Sequence, residues 1–262
     1  MKNTTMRVST MAAAVLAATI GFTFLFAQQP AAQTAELRVM CSNGVKSAVE
    51  ELRPQIERAA GRRLAIQFDS SVRLVAKIDA GEAFDLAFLS PVNMDPLIQK
   101  GVIAASPTAY IGRTGIGIGV RAGARKPDLS STAALKQTLL SAKSITMNPT
   151  GASATHFNRI VAELGIADAV KPKIILDAEP GRAQMNVAEG KAELIWTQIP
   201  EIKSFRELEF AGPLPKELQV YTDFSVAVAT KTRDAAAAAA VVKFIGSPAA
   251  VAAFRAKDVE AR

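Results

Sequence analysis

Apolar residues recur along this chain in two rhythms, short solid runs and stripes at three- and four-residue spacing. LRVMC (37–41) is a solid run and reads as a buried strand. Val45, Ala48, Val49, Leu52, Ile56 and Ala59 then follow helical spacing up to Gly61, a residue suited to a left-handed helix stop. LAIQF (64–68) is the next strand. A helix with Ser71 as its N-cap follows, turning Leu74, Val75 and Ile78 inward and closing at Gly81. DLAFL (85–89) completes a strand–helix–strand–helix–strand series whose short connections predict a parallel sheet covered on both faces.

A second unit repeats the rhythm, with strands at TGIGIGV (114–120), SITM (144–147) and KIIL (173–176) and helices between them. LQVYTDFSVAVAT (218–230) is long enough to carry the chain back to the first unit. Asp234 to Phe244 reads as an alanine-dense helix with Val241, Val242 and Phe244 on its apolar face. Gly246-Ser247-Pro248 interrupts it, with Ser247 as cap and Pro248 in the first turn of a last helix. The predicted fold class is α/β: two lobes with parallel or mixed sheets, helices on both faces and a cleft between them. Residues 36–113 with 222–262 form lobe 1, and 114–221 form lobe 2.

The front of the chain has a different pattern. Lys2 and Arg7 precede an uncharged segment from Val8 to Ala35, within which Met11 to Ala27 is apolar and ends in small residues. This is the layout of a secretory signal peptide, cleaved between 27 and 35, and it predicts export. Seventeen residues also sit at the short edge of a membrane-spanning helix, the competing reading. Without Lys2 and Arg7 the chain keeps 29 basic and 24 acidic residues, a charge of +5 that favours anionic ligands only weakly. No basic run or aromatic-rich basic strip suggests nucleic acid. One cysteine, Cys41, allows no internal disulfide, and one cysteine with one histidine argues against a structural zinc site.

The single histidine lies in NPTGASATHFNRI (148–160). GASAT approaches the G-x-S-x-G nucleophile elbow, but that fold needs a histidine far downstream and none follows His156. A Ser-Lys arrangement has nothing specific behind it. A better use of the stretch is a helix start, with Thr150 or Ser153 as cap, whose unpaired N–H groups receive an anion. The same device recurs at Ser42-Asn43-Gly44, at Asp69-Ser70-Ser71 and at Pro180-Gly181-Arg182, each just after a predicted strand, where α/β sheets bind ligands. Simple helix capping explains any one of these, and their number favours a ligand site.

FDSSVRLVAKIDAGEAFDLAFLS (68–90) resembles the periplasmic molybdate-type binding proteins of ABC importers, in which a serine pair precedes a helix ending in Ile-x-x-Gly and an Asp-led strand. The likeness extends through LRVMCSNG, NPTGASA, DAEPGRA, AELIWTQIPEI and VVKFIGSPAAVAAFRAK. It implies a two-lobed protein of the type II kind that closes over an oxyanion and delivers it to an inner-membrane permease. It implies no catalysis and no metal or other cofactor, and a monomer is expected. Carried over by position, it implies ligand contacts from Ser71, next to Ser70, from Ala154 with Ser153 beside it, and from Gly181. Gly44, beside Ser42 and Asn43, replaces the family's first-loop serine, and Gln198, beside Thr197, replaces its tyrosine. With two hydroxyls lost, an organic carboxylate becomes a candidate beside molybdate, and Arg73, Arg182 and His156 are further contacts suited to it. The competing class is a secreted enzyme acting on a small organic acid, with His156 and Glu179 or Glu193 as its titratable pair.

Overall fold

The computed structural model describes residues 36–261. The predicted signal peptide lies outside them. The first half runs β1 (Leu37–Ser42), a 3₁₀ turn (Asn43–Val45), α1 (Lys46–Ala60), β2 (Leu64–Asp69), α2 (Ser71–Asp79), β3 (Leu86–Leu89) and α3 (Pro91–Gln99). The 19-residue strand β4 (Ile103–Arg121) leads on to α4 (Thr132–Ser141), β5 (Ile145–Met147), α5 (Ala152–Glu163), α6 (Ala167–Val170) and β6 (Ile174–Leu176). Then come α7 (Arg182–Ala188), β7 (Leu194–Gln198), α8 (Ile199–Lys203) and β8 (Leu208–Pro213). β9 (Tyr221–Ala229), α9 (Ala235–Ile245) and α10 (Pro248–Ala256) finish the chain. Among the described residues no single helix is long and apolar enough to cross a membrane.

Strands β2, β1 and β3 are parallel, as the alternation of strand and helix predicts, and β9 closes them antiparallel. In the second lobe β6, β5 and β7 are parallel, with the C-terminal part of β4 antiparallel to both β7 and β8. Strand β4 belongs to both sheets. It pairs with β9 up to Gly115 and with β7 from Ile116 onward. The sequence pattern shows only 114–120 of it, because Ala104 to Thr108 are small, polar or proline and carry no apolar alternation.

Each sheet has apolar clusters on both faces. In lobe 1, Val45, Ala48, Val49, Leu52 and Ile56 of the first helical stripe pack with Val241, Val242 and Phe254 on one face. Leu74, Ile78, Met94 and Leu97 cover the other. The stripe ends at Ala60 instead of Ala59, which is exposed. Asp85, 1% exposed, ties the strand ends together. Its carboxylate accepts from Arg38 N (2.9 Å), Nε (3.0 Å) and Nη2 (3.0 Å), and from Thr232 Oγ1 (3.1 Å).

The helix starts differ in detail from expectation. Ser70, not Ser71, is the N-cap of α2, and its Oγ accepts from Arg73 N at 3.3 Å. Gly151 occupies the N-cap of α5 with no side-chain bond, so neither Thr150 nor Ser153 caps it. Asn148 Oδ1 takes the Thr150 N–H and hydroxyl instead, both at 2.8 Å. Ser247 and Pro248 stand where the sequence puts them, as cap and first residue of α10.

Candidate functional site

A cavity of about 720 Å³ lies between the two sheets. Three helices of nine or more residues begin at its wall: α2 with Ser70, Ser71 and Val72, α3 with Ser90 to Asn93, and α5 with Gly151 and Ala152. The first N–H groups of a helix have no carbonyl partner within it and carry the positive end of the peptide dipoles, so they attract negative charge. Ser42, Asn43 and the turn Asn148–Thr150 add hydroxyls and amides. Ser71 Oγ donates to Ser42 Oγ at 3.1 Å within this wall. The floor is the start of β9, from Tyr221 to Phe224, where the chain returns from the second sheet to the first.

Among the described residues no lysine or arginine lines the cavity. His156 is its one basic side chain, and burial together with the nearby Arg159 charge lowers the imidazole pKa. Two acids face in. Asp223 accepts from Tyr110 Oη at 2.8 Å. Glu201 follows Gln198 in the first turn of α8, and its Oε2 accepts from Gln184 Nε2 at 3.3 Å. Burial pushes the Glu201 carboxyl up to about 7 against the hydrogen bonds from Thr197 and Gln184. Among the described residues no group of three His, Cys, Asp or Glu side chains could hold a metal ion.

The residues singled out from sequence divide into two sets. Ser42, Asn43, Ser70, Ser71, His156, Thr197 and Gln198 all line the cavity. Ser153 and Ala154 lie just behind its wall. They are 3% and 7% exposed, and the Ser153 carbonyl accepts from Trp196 Nε1 at 3.1 Å. Gly181 and Arg182 lie elsewhere, because Arg182 binds Glu189 with two nitrogens at 3.1 Å each. Arg73 points along the rim, with Nε on Asp69 (3.1 Å) and Nη1 on the Ala178 carbonyl (3.1 Å). Of the suggested enzyme pairs, Glu179 and Glu193 are exposed and outside the lining, whereas Glu201 shares the cavity with His156.

Gly44 and Gln198 prove to be neighbours. A Cβ on Gly44 would stand 2.0 Å from Gln198 Oε1 and 2.5 Å from Phe224 Cζ, so the glutamine occupies the space a first-loop side chain would need. Gln198 Oε1 is buried and has no hydrogen-bond partner among the described residues. Sequence reasoning missed Ser90 to Asn93, Glu201 and Tyr221 to Phe224. For the first, the signal was present: Ser-Pro directly after a buried strand is a cap followed by a first-turn proline.

Known proteins share this chain's sequence pattern and fold. Residues 37–257 match the family described as bacterial extracellular solute-binding protein. An aconitate isomerase from a Pseudomonas species is 30% identical over 231 residues, covering 85% of this chain and 86% of its own. The molybdate-binding protein ModA of Azotobacter vinelandii is 23% identical over 229 residues, 84% and 88% of the two chains. The solved periplasmic molybdate-binding protein of Azotobacter vinelandii superposes with a TM-score of 0.71 at 19% identity, over 85% of this chain and 97% of that one. The resemblance drawn from residues 68–90 is thereby borne out, as is the two-lobed α/β class. With its sequence matched almost from β1 to the end of α10, this chain belongs to the bacterial extracellular solute-binding protein family.

Proposed function

We propose that this protein captures a small organic carboxylate between its lobes and delivers it to an ABC permease in the inner membrane. One observation carries the reading: helix starts from both sheets meet at a cavity lined by hydroxyls and amides and, among the described residues, by no lysine or arginine. Such a wall replaces an anion's water with N–H and O–H donors and spreads its charge over dipoles. A volume of about 720 Å³ falls in the range of roughly 300–1,000 Å³ typical of pockets for organic ligands. The Gly44 and Gln198 departures from the molybdate pattern point the same way, as does the 30% identity with an enzyme named for a tricarboxylate. In this reading residues 36–113 with 222–262 and residues 114–221 are the lobes. The mature protein is a periplasmic monomer, released by cleavage between 27 and 35.

A second reading has support of its own. Glu201 and His156 share the cavity, and the 30%-identical relative is an isomerase, so turnover of a bound unsaturated acid is the competing function. A thermal-stability screen with molybdate, tungstate, sulfate, citrate, succinate and the two aconitate isomers tests capture. Organic acids are expected to raise Tm; protection by molybdate and tungstate alone would overturn the organic reading. Recovery of each aconitate isomer unchanged after incubation supports the carrier, and interconversion lost in His156→Ala supports the enzyme.

A further inference from the structure

We propose that Glu201 serves the cavity as a neutral acid and donates its proton to a hydrogen bond with the bound anion, so that it selects ligands with a strong carboxylate acceptor and takes up a proton as they bind. This rests on the capture reading. Glu201 lines the cavity and among the described residues its carboxyl meets neutral partners, Gln184 Nε2 and the Thr197 hydroxyl.

The charged groups on the elements packed around α8 do not compensate it. Strand β7 and the 3₁₀ turn Asn43–Val45 carry none. On α1, Lys46 is near Glu50, Glu51 near Lys257, and Arg53 bonds Glu57; Arg58 is exposed. On β4, Arg113 stacks over the Tyr221 ring at 4.2 Å and Arg121 sits at the strand's far end. Glu209 of β8 accepts from Gly123 N, Arg182 of α7 binds Glu189, and Lys203 of α8 itself bonds Asp258. Across the cavity stand His156, Asp223 and Tyr221.

An ionised Glu201 would therefore share a cavity free of lysine and arginine with a second negative charge. That arrangement is unfavourable, and protonation removes the repulsion while turning one carboxyl oxygen into a donor. Burial holds the Glu201 carboxyl at about 7, so an arriving anion has only to complete its protonation.

Infrared difference spectra of the wild type and Glu201→Gln test this without a ligand. A protonated-carboxyl band at pH 6, absent from the variant and fading by pH 8.5, is expected; no such band at pH 6 overturns the proposal. Calorimetry with citrate and succinate in buffers of different ionisation enthalpy then reads proton uptake. Wild-type affinity should fall by up to about tenfold per pH unit above pH 7 with proton uptake. Glu201→Gln, sharing any titration of the ligand, should bind with a flatter profile and less uptake. Equal slopes and uptake in both proteins overturn the role of Glu201 and leave capture standing. No binding by either anion at any pH overturns capture and this role together.

Discussion

Ser71 is the residue on which the proposed anion site leans most. It combines the first N–H of α2 with a hydroxyl held toward the cavity by its contact with Ser42. Ser71→Ala removes one hydrogen bond to a charged group, worth about 1.5–3 kcal/mol, and titration calorimetry should show binding weakened about tenfold to 150-fold. Unchanged affinity would take Ser71 out of the site. Gly44 is constrained in the opposite way, by space. Gly44→Ala forces the Gln198 amide and the Phe224 ring aside and should cost about 1–3 kcal/mol in urea unfolding. Adding Gln198→Ala should recover part of that loss, since the amide oxygen is the nearest obstacle. Additive losses in the double variant would show that the two positions are not coupled.

Helix starts and strand ends carry the architecture, and Asp85 shows how. Burial alone would raise its carboxyl; the Arg38 side chain and N–H, the Arg233 N–H and the Arg38 charge outweigh that and bring it from 3.8 to about 2. A carboxyl lowered in the folded state stabilises above its unfolded value, and the contribution disappears as pH falls through the folded one. Asp85→Asn should therefore lose about 2 kcal/mol at pH 7, with the gap to wild type closing between about pH 4 and pH 2. A gap that stays constant to pH 2 would contradict the assignment. The sequence disclosed most of this framework, because solid apolar runs and a 3.6-residue stripe report burial directly. It disclosed caps less well: Ser70 and Ser71 are adjacent and chemically alike, and only backbone geometry assigns the cap to Ser70. The site was half legible. Ser42, Asn43, Ser70 and Ser71 announce themselves by following strands. Arg73 and Arg182 could not be placed, because their partners, the Ala178 carbonyl and Glu189, are chosen by packing. Glu201 looks like an ordinary helix glutamate until the cavity surrounds it.

Two contacts join the lobes across the opening. Ser70 Oγ meets Thr150 Oγ1 at 2.8 Å, and Arg73 Nη1 donates to the Ala178 carbonyl at 3.1 Å. Under the proposed capture mechanism, contacts that hold the two sides together slow ligand escape. Lys77, 3.4 Å from Asp69, keeps that buried carboxylate paired when Arg73 is removed. Arg73→Ala should raise the ligand dissociation rate about fivefold with little change in association, as read by stopped-flow or surface binding kinetics. A change confined to association would place Arg73 in attraction of the anion instead of closure. Capture requires an anion resting between lobes on N–H groups from both. A crystal structure grown with the organic acid that stabilises the protein most tests this directly. It should show carboxylate oxygens within hydrogen-bonding distance of the Ser71 N–H on one side and the Ala152 N–H on the other. Density for the acid on an outer surface, with the cavity between α2 and α5 empty, would contradict it.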